Sequence, residues 1–236
     1  MMSLFQFSPA EWAIVLLSLK VAVFCVVLIT VPAVALAWVL ARKSFYGKSL
    51  VDSLVHLPMV LPPVIPGFIL LMLLGKQGWI GSRLYEYFGI TIAFTWFGAV
   101  IASAVMAFPL LVRASRQAIA QVDRHLELAA QTLGAHPLRV FFTITLPLAL
   151  PGIITGLILA FSRSLGEFGA TITFVGNIEG ETRTLPLAIY TYTQVPNGDI
   201  PAMRLVILSM LLALSALMLS EYLSRKANRH VEQADD

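Results

Sequence analysis

Arg163 and Glu167 stand four residues apart inside an apolar run, with Ser162 and Ser164 beside them. On a helix that spacing puts both charges on one face, as an ion pair. Ionisable groups within a membrane span face a bundle interior or an aqueous cavity, and pair with one another. Two readings follow. The pair is self-neutralised and fixes helix packing, or it borders an outer gate where serine hydroxyls and the amides of Gly166 and Gly169 offer weak donors to a passing oxyanion. A conduit must hold its substrate weakly enough to release it, so the absence of a dense arginine cluster fits a conduit better than a high-affinity receptor. No catalytic constellation competes with this. There is no G-x-S-x-G or H-E-x-x-H string, and the four histidines are scattered at 56, 125, 136 and 230. Cys25 is the single cysteine, so neither an intramolecular disulfide nor a zinc-type spacing is available.

The elements that carry these groups are membrane spans. Hydrophobic residues make up 58% of the 236-residue chain and charged residues 12%, against roughly 45–50% and about 25% in soluble domains. Five apolar stretches are each close to or above the roughly 20 residues needed to cross a bilayer: about 13–41, 54–75, 94–118, 144–168 and 203–224. The chain therefore reads as one all-α membrane domain over 1–236, with five transmembrane helices and no room for a sizeable soluble domain. The first span is long, so Pro9–Leu19 are expected to begin as an interfacial turn. The opening MMSLFQFSPAEW carries no Lys or Arg, lacks the basic region of a cleaved leader, and is read as retained. Met1, Met2 and the tail 227–236 carry no motif.

Pro58, Pro62, Pro63 and Pro66 fall within nine residues of the second span. Proline removes a backbone donor and collides with the preceding turn, so this span cannot be a regular helix throughout. Irregular backbone at membrane depth is tolerated where it is buried in protein or lines a water-filled path. Pro62 and Pro63 are accordingly expected in a kinked, pore-lining element, with a packing kink between subunits as the alternative.

The net charge of +3 could suggest nucleic acid, but the basic residues flank apolar spans and are better explained by topology. Arg42, Lys43, Lys48, Arg113, Arg116, Arg124, Arg139, Arg225, Lys226 and Arg229 fall on one side; Lys76, Arg83 and Arg183 fall on the other. Ten against three places the N-terminus outside and the C-terminus and segment 119–143 in the cytoplasm. Trp12, Trp79 and Trp96 then sit near the outer interface as an aromatic belt, and Lys20 snorkels to the headgroups. His56 is read as a structural hydrogen-bonder, and loop 176–202, on residues alone, as a solvated connector.

One segment on the cytoplasmic side is out of character. In LELAAQTLGAHPLRVFFTITLP (126–147), Leu126, Ala129, Ala130 and Leu133 recur at i, i+3, i+4 and i+7, the stripe of a short helix. Asp123 stands at the N-cap position, and Gly134 and Pro137 supply stop signals. About ten residues cannot span a bilayer, but the small-residue face could lie in a groove on a partner. No G-x-x-x-x-G-K-[ST] phosphate loop occurs, so the chain cannot hydrolyse ATP alone.

The segment from Leu128 to Pro147 resembles the cytoplasmic EAA loop of ABC-importer permeases: Ala129, Ala130 and Gly134 fit, and Ile144, Leu146 and Pro147 complete the I-x-L-P that follows. The triplet's Glu position holds Leu128, while Glu127 stands one place earlier. The whole chain is similar to the molybdate-importer permeases of that superfamily, through HLPMVLPPVIPGF (56–68), RVFFTITLPLALPGI (139–153), SRSLGEFGATITFV (162–175) and GETRTLP (180–186). The resemblance implies a homodimeric permease in the bacterial inner membrane. Its loop helix, with Glu127, Ala129, Ala130, Gly134 and Pro147, would couple to two ATPase subunits. These bind the ATP and Mg; the permease chain itself has no cofactor. An extracytoplasmic molybdate-binding protein would deliver the anion, contacting region 176–202. Pro62, Pro63, Ser162, Arg163 and Glu167 would border the path. Sulfate, thiosulfate or tungstate import by the same architecture is the nearest alternative. An ATP-independent channel or secondary transporter is the different-class alternative, although five spans do not divide into the matched halves of an inverted repeat.

Overall fold

The computed structural model describes residues 8–232. The opening residues 1–7 and the tail from 233 lie outside the described residues, as do the side chains of Arg225, Lys226 and Arg229 that entered the charge count. All regular structure among the described residues is helical. Four helices are long and apolar enough to cross a membrane, or five if one bent pair counts as a single span.

Helix α1 (Pro9–Arg42) runs unbroken for 34 residues, about 51 Å at 1.5 Å per residue. The expected interfacial turn over Pro9–Leu19 is absent because the sequence caps the helix at its first residue. Ser8 Oγ accepts the Glu11 amide at 3.2 Å, the Glu11 carboxylate accepts the Ser8 amide at 2.6 Å, and Pro9 follows the cap. This reciprocal capping box satisfies two orphan donors at once. The buried stripe of α1 is rich in small residues (Ala22, Cys25, Ala33, Ala37), which lets α5 (Trp96–Gln121) approach closely.

Helix α5 is the axis of the bundle, packed between α1 and α8 (Leu146–Leu165). On the α8 side the contact is made by a glycine pair four residues apart. A Cβ on Gly152 would lie 2.5 Å from the Ala118 Cβ, and one on Gly156 would lie 2.8 Å from the Ala114 Cβ. Backbones this close gain dispersion contacts that larger side chains would prevent.

The second stretch divides into α2 (Lys48–Val60) and α3 (Val64–Leu74), bent by 109°. The break is confined to residues 61–63, where Pro62 and Pro63 withhold consecutive donors. Pro58 is carried inside α2, and Pro66 sits in the first turn of α3, where its missing N–H is harmless. A short α4 (Gly81–Phe88) leads to α5, and α6 (Arg124–Thr132) follows it.

The fourth stretch begins earlier than hydropathy suggests. Helix α7 (Pro137–Val140) starts from a His136 cap, runs through a π-helical turn at Phe141–Thr145, and continues as α8. The widened turn lies directly before Pro147, whose ring would collide with the carbonyl four residues back in a regular helix.

Beyond α8, α9 (Gly169–Val175), α10 (Leu185–Thr193) and α11 (Asp199–Glu232) complete the chain. Segment 176–202 is therefore folded rather than a solvated connector. Leu187 and Ala188 of α10 are fully buried, and Leu185, Ala188 and Leu205 pack on Ile14 and Val15 of α1. Ser18 accepts the Leu185 amide at 2.7 Å, and Arg204 pairs with the buried Glu11 at 2.9 Å. The interlock on α5 is directly testable. Gly152→Ala should cost about 1–3 kcal/mol from overpacking, seen as a lower unfolding temperature in detergent, and Ala118→Gly should restore most of it. Simple additivity of the two changes would refute the contact.

Candidate functional site

The stripe at 126–133 forms the predicted helix, but its polarity is the reverse of an ordinary surface helix. Asp123 caps α6 by accepting the His125 amide at 2.8 Å. At the other end Gly134 adopts φ +88°; its amide reaches the Gln131 carbonyl at 2.9 Å, and the Ala135 amide reaches that of Ala130 at 3.1 Å. That is a Schellman closure, which needs a left-handed residue that glycine supplies without strain. Between these caps Leu126 is 49% exposed and Leu133 89% exposed, and Ala129 is also exposed. The buried residue of the helix is its acid, Glu127.

Glu127 Oε1 accepts from Arg42 Nη2 at 2.9 Å, Arg42 Nε at 3.1 Å and Thr145 Oγ1 at 2.6 Å. Arg42 Nη2 also donates to the Val122 carbonyl at 3.0 Å. Both ionised side chains are about nine-tenths buried, so the charges are matched by charge-assisted hydrogen bonds from a fixed guanidinium fork. One carboxylate thus ties α6 to the end of α1 and to the π turn that leads into α8. Glu127 is consequently turned into its own chain, while Ala129 and the leucines flanking it face out. Arg42 appeared in the sequence only as a topological charge, and Thr145 carried no signal beyond its place in I-x-L-P. Pro147 lies in the first turn of α8, next to this joint.

The second candidate set assembles around the breaks in the membrane helices. Arg163 Nη1 lies 2.7 Å from Glu167 Oε2, with the Glu167 side chain 1% exposed and that of Arg163 31% exposed. The other Glu167 oxygen accepts the Ala170 amide at 2.9 Å. Glu167 therefore spans the gap between α8 and α9, its charge fully used within the chain. α9 crosses α3 at very close range. A Cβ on Gly169 would meet Pro63 Cβ at 2.6 Å, and one on Gly67 would meet the Ala170 carbonyl oxygen at 2.6 Å. The structure thus brings Pro63, adjoining Pro62, against the segment that Arg163 and Glu167 hold. Ser162 is not part of this group. It lines a crevice with Leu185, Ile189 and Leu212, between α8, α10 and α11.

Other polar groups are occupied structurally. His56 Nδ1 lies 2.8 Å from the Asp52 carbonyl oxygen, and Asp52 pairs with Arg116 at 2.7 Å, linking α2 to α5. Lys20 sits over the Trp96 ring at 3.6 Å from its centroid, a cation–π contact to α5. Among the described residues no three His, Cys, Asp or Glu side chains gather as a metal site. The α6 joint yields a measurable consequence. Removing one partner of a buried ion pair costs about 3–5 kcal/mol, so Glu127→Ala should speed amide hydrogen exchange across 124–132 while α5 stays protected. Arg42→Ala should do the same, and the double variant should be little worse than either. Unchanged exchange in α6 would remove the anchoring role.

Residues 33–229 match the family model described as binding-protein-dependent transport system inner membrane component. The chain is 60% identical over 215 residues (91% of it, 94% of the relative) to the molybdenum transport system permease protein ModB of Escherichia coli K12. It is 53% identical over 219 residues (93% and 96%) to ModB of Haemophilus influenzae. A probable sulfate transport system permease protein of Chlorokybus atmophyticus is 36% identical over 182 residues, covering 77% of the chain and 63% of that relative. Among solved structures, a bacterial ABC transporter that imports the acidic polysaccharide alginate matches with TM-score 0.74 at 20% identity, over 95% of this chain and 82% of that one. The MetNI methionine ABC transporter in inward-facing form matches with TM-score 0.68 at 18% identity, over 94% and 99%. The last two matches establish the shared fold, and the sequence matches establish kinship: the chain belongs to the family of inner-membrane components of binding-protein-dependent transport systems.

Proposed function

We propose that this chain is the membrane-spanning subunit of an ATP-driven importer that carries molybdate across the bacterial inner membrane. The observation that carries the reading is the inverted polarity of α6: a capped helix, fastened by its acid to its own chain, presents Leu126, Ala129 and Leu133 outward. An apolar helix face of this kind suits a groove on another protein. The charge asymmetry supports an N-terminus outside and a cytoplasmic α6 and C-terminus, within one multi-pass domain spanning the chain. The partners are two cytoplasmic ATPase subunits that hold ATP and Mg, a second copy of the chain, and an extracytoplasmic molybdate-binding protein. The substrate assignment rests on the identity to relatives named for molybdenum transport, 60% and 53%, against 36% to one named for sulfate.

Mechanically, the ATPase pair would bind the two transport states differently, since only differential interaction can shift a conformational equilibrium. Ala129, Ala130 and Gly134 form the docking side, and Glu127 is the anchor behind it. Motion of α6 passes through Glu127 to Arg42 on α1 and to Thr145 at the root of α8. From there α8 leads to Arg163–Glu167 and to the crossing of Gly169 with Pro63, which acts as the gate. The segment 176–202 and the outer end of α1 receive the binding protein.

Ala130→Asp should abolish molybdate uptake and leave abundant membrane-inserted protein, because the site is half-buried at the edge of the outward face. Gly134→Arg should abolish uptake as well, by straining the left-handed closure of α6 in addition to crowding that face. Uptake at the wild-type rate by either variant would defeat the docking assignment. In the reconstituted complex, ATP hydrolysis should rise with molybdate-loaded binding protein; stimulation by sulfate alone would overturn the substrate.

A further inference from the structure

Helix α6 has a second face. Arg124, Glu127, Leu128 and Gln131 recur at i, i+3, i+4 and i+7, on the opposite side of the helix from Leu126, Ala129 and Leu133 at about 100° per residue. This face lines a cleft of about 210 Å³, bounded otherwise by the end of α1 and the start of the fourth span. Arg42, Lys43 and Arg124 line it against the single carboxylate of Glu127, which leaves two positive charges over. Glu127 is spent on Arg42 and Thr145, and Asp123 beside Arg124 in sequence is turned to the His125 amide. Convergence, rather than the lack of an ion pair, is what distinguishes Lys43 and Arg124. Arg139 is exposed and makes no ion pair among the described residues either, but it lies outside the cleft.

The cleft also has an apolar side. Trp38 and Phe141 form an aromatic wall, edge to face with ring centroids 5.7 Å apart. Lys43 Nζ stands over the Trp38 ring, 5.7 Å from its centroid. Tryptophan is favoured at the level of lipid headgroups. On the membrane side of this wall, Leu28, Val31 and Ala35 form an exposed stripe along α1, spaced three and four apart, and Trp38 and Arg42 continue it into the cleft. An apolar track that ends in a cationic cleft matches an amphiphile with acyl chains and an anionic head. A soluble anion makes no use of the track, and a groove on the ATPase would meet the opposite face of α6. Basic recesses between spans on the cytoplasmic side take anionic headgroups.

We infer that this cleft binds the phosphate of an anionic phospholipid from the cytoplasmic leaflet, held by Lys43 and Arg124, with its acyl chains along α1. The phosphodiester accepts charge-assisted hydrogen bonds from both side chains. It joins α1 to α6 a second time, beside the Arg42–Glu127 pair, and relieves the repulsion among three clustered cations. The inference rests on the topology proposed above, with α6 cytoplasmic, and not on the choice of substrate.

The test places the full-length permease in nanodiscs of phosphatidylcholine with and without phosphatidylglycerol, and counts retained phosphatidylglycerol by native mass spectrometry. In the wild type, phosphatidylglycerol should be retained and should slow amide hydrogen exchange across 124–132. Lys43→Gln or Arg124→Gln should weaken retention about fivefold, and the two together about thirtyfold. Arg139→Gln should leave it unchanged. Wild-type retention in the double variant would overturn the inference. Equal weakening by Arg139→Gln would do so too, since it would show diffuse attraction to the surface. Inorganic phosphate or molybdate slowing exchange in pure phosphatidylcholine would make the cleft a soluble-anion site, and loss of phosphatidylglycerol on adding the ATPase subunits would make it a protein groove; either result overturns the lipid. Retention as expected in a complex that fails to import molybdate would overturn the substrate assignment and leave this site standing.

Discussion

The arrangement of this chain depends on where one carboxylate points. Glu127 gathers donors from Arg42 at the end of the first helix and from Thr145 at the root of the fourth span. With the acid inside, the leucines and alanines of α6 are left outside. Were Glu127 solvated, the apolar stripe would fold down onto the bundle or the bilayer, as amphipathic helices ordinarily do. The ion pair thus decides the orientation of the outward apolar face of α6 as well as its attachment. Its stability comes from completeness: the fork of Arg42 is shared between the carboxylate and the Val122 carbonyl, so little donor capacity is stranded in a dry site.

A second constraint acts within the membrane. Backbone groups there must be satisfied internally, so a helix can break only where something else covers the break. The two interruptions in the bundle, at 61–63 and 166–168, are covered by each other's neighbourhood. Pro63 abuts Gly169, and Glu167 accepts the Ala170 amide. By contrast the contact of α5 with α8 through Gly152 and Gly156 has no slack. The close interlock thus lies between α5 and α8, whereas the breaks lie in α2–α3 and before α9.

Much of this could be read from residues alone, for definable reasons. The spans follow from hydropathy, the break in the second from adjacent prolines, and the ends of α6 from Asp123 and Gly134, whose side chain and backbone conformation act locally. Arg163–Glu167 was legible because its partners are four residues apart. Arg42–Glu127, Glu11–Arg204 and Asp52–Arg116 were not, since partners 64 or more residues apart leave no trace in a single sequence. Periodicity located the apolar stripe of α6 but carries no sign: it tells which residues share a face, not whether that face is inward. Ser162 was grouped with Arg163 by adjacency, although neighbours on a helix point about 100° apart. The folded character of 176–202 was hidden because α10 is short and its cover comes from α1.

The π turn at Phe141–Thr145 has a consequence of phase. A turn with one extra residue shifts everything after it by about 100° relative to a continuous α-helix. The cytoplasmic root of the fourth span and its membrane portion are therefore joined without a loop but out of step by a fixed angle. That offset lets Thr145 turn toward Glu127 while Gly152 and Gly156, further along the same run, turn toward α5. The extra residue works like a keyed joint between two shafts, setting the angle at which one face follows the other.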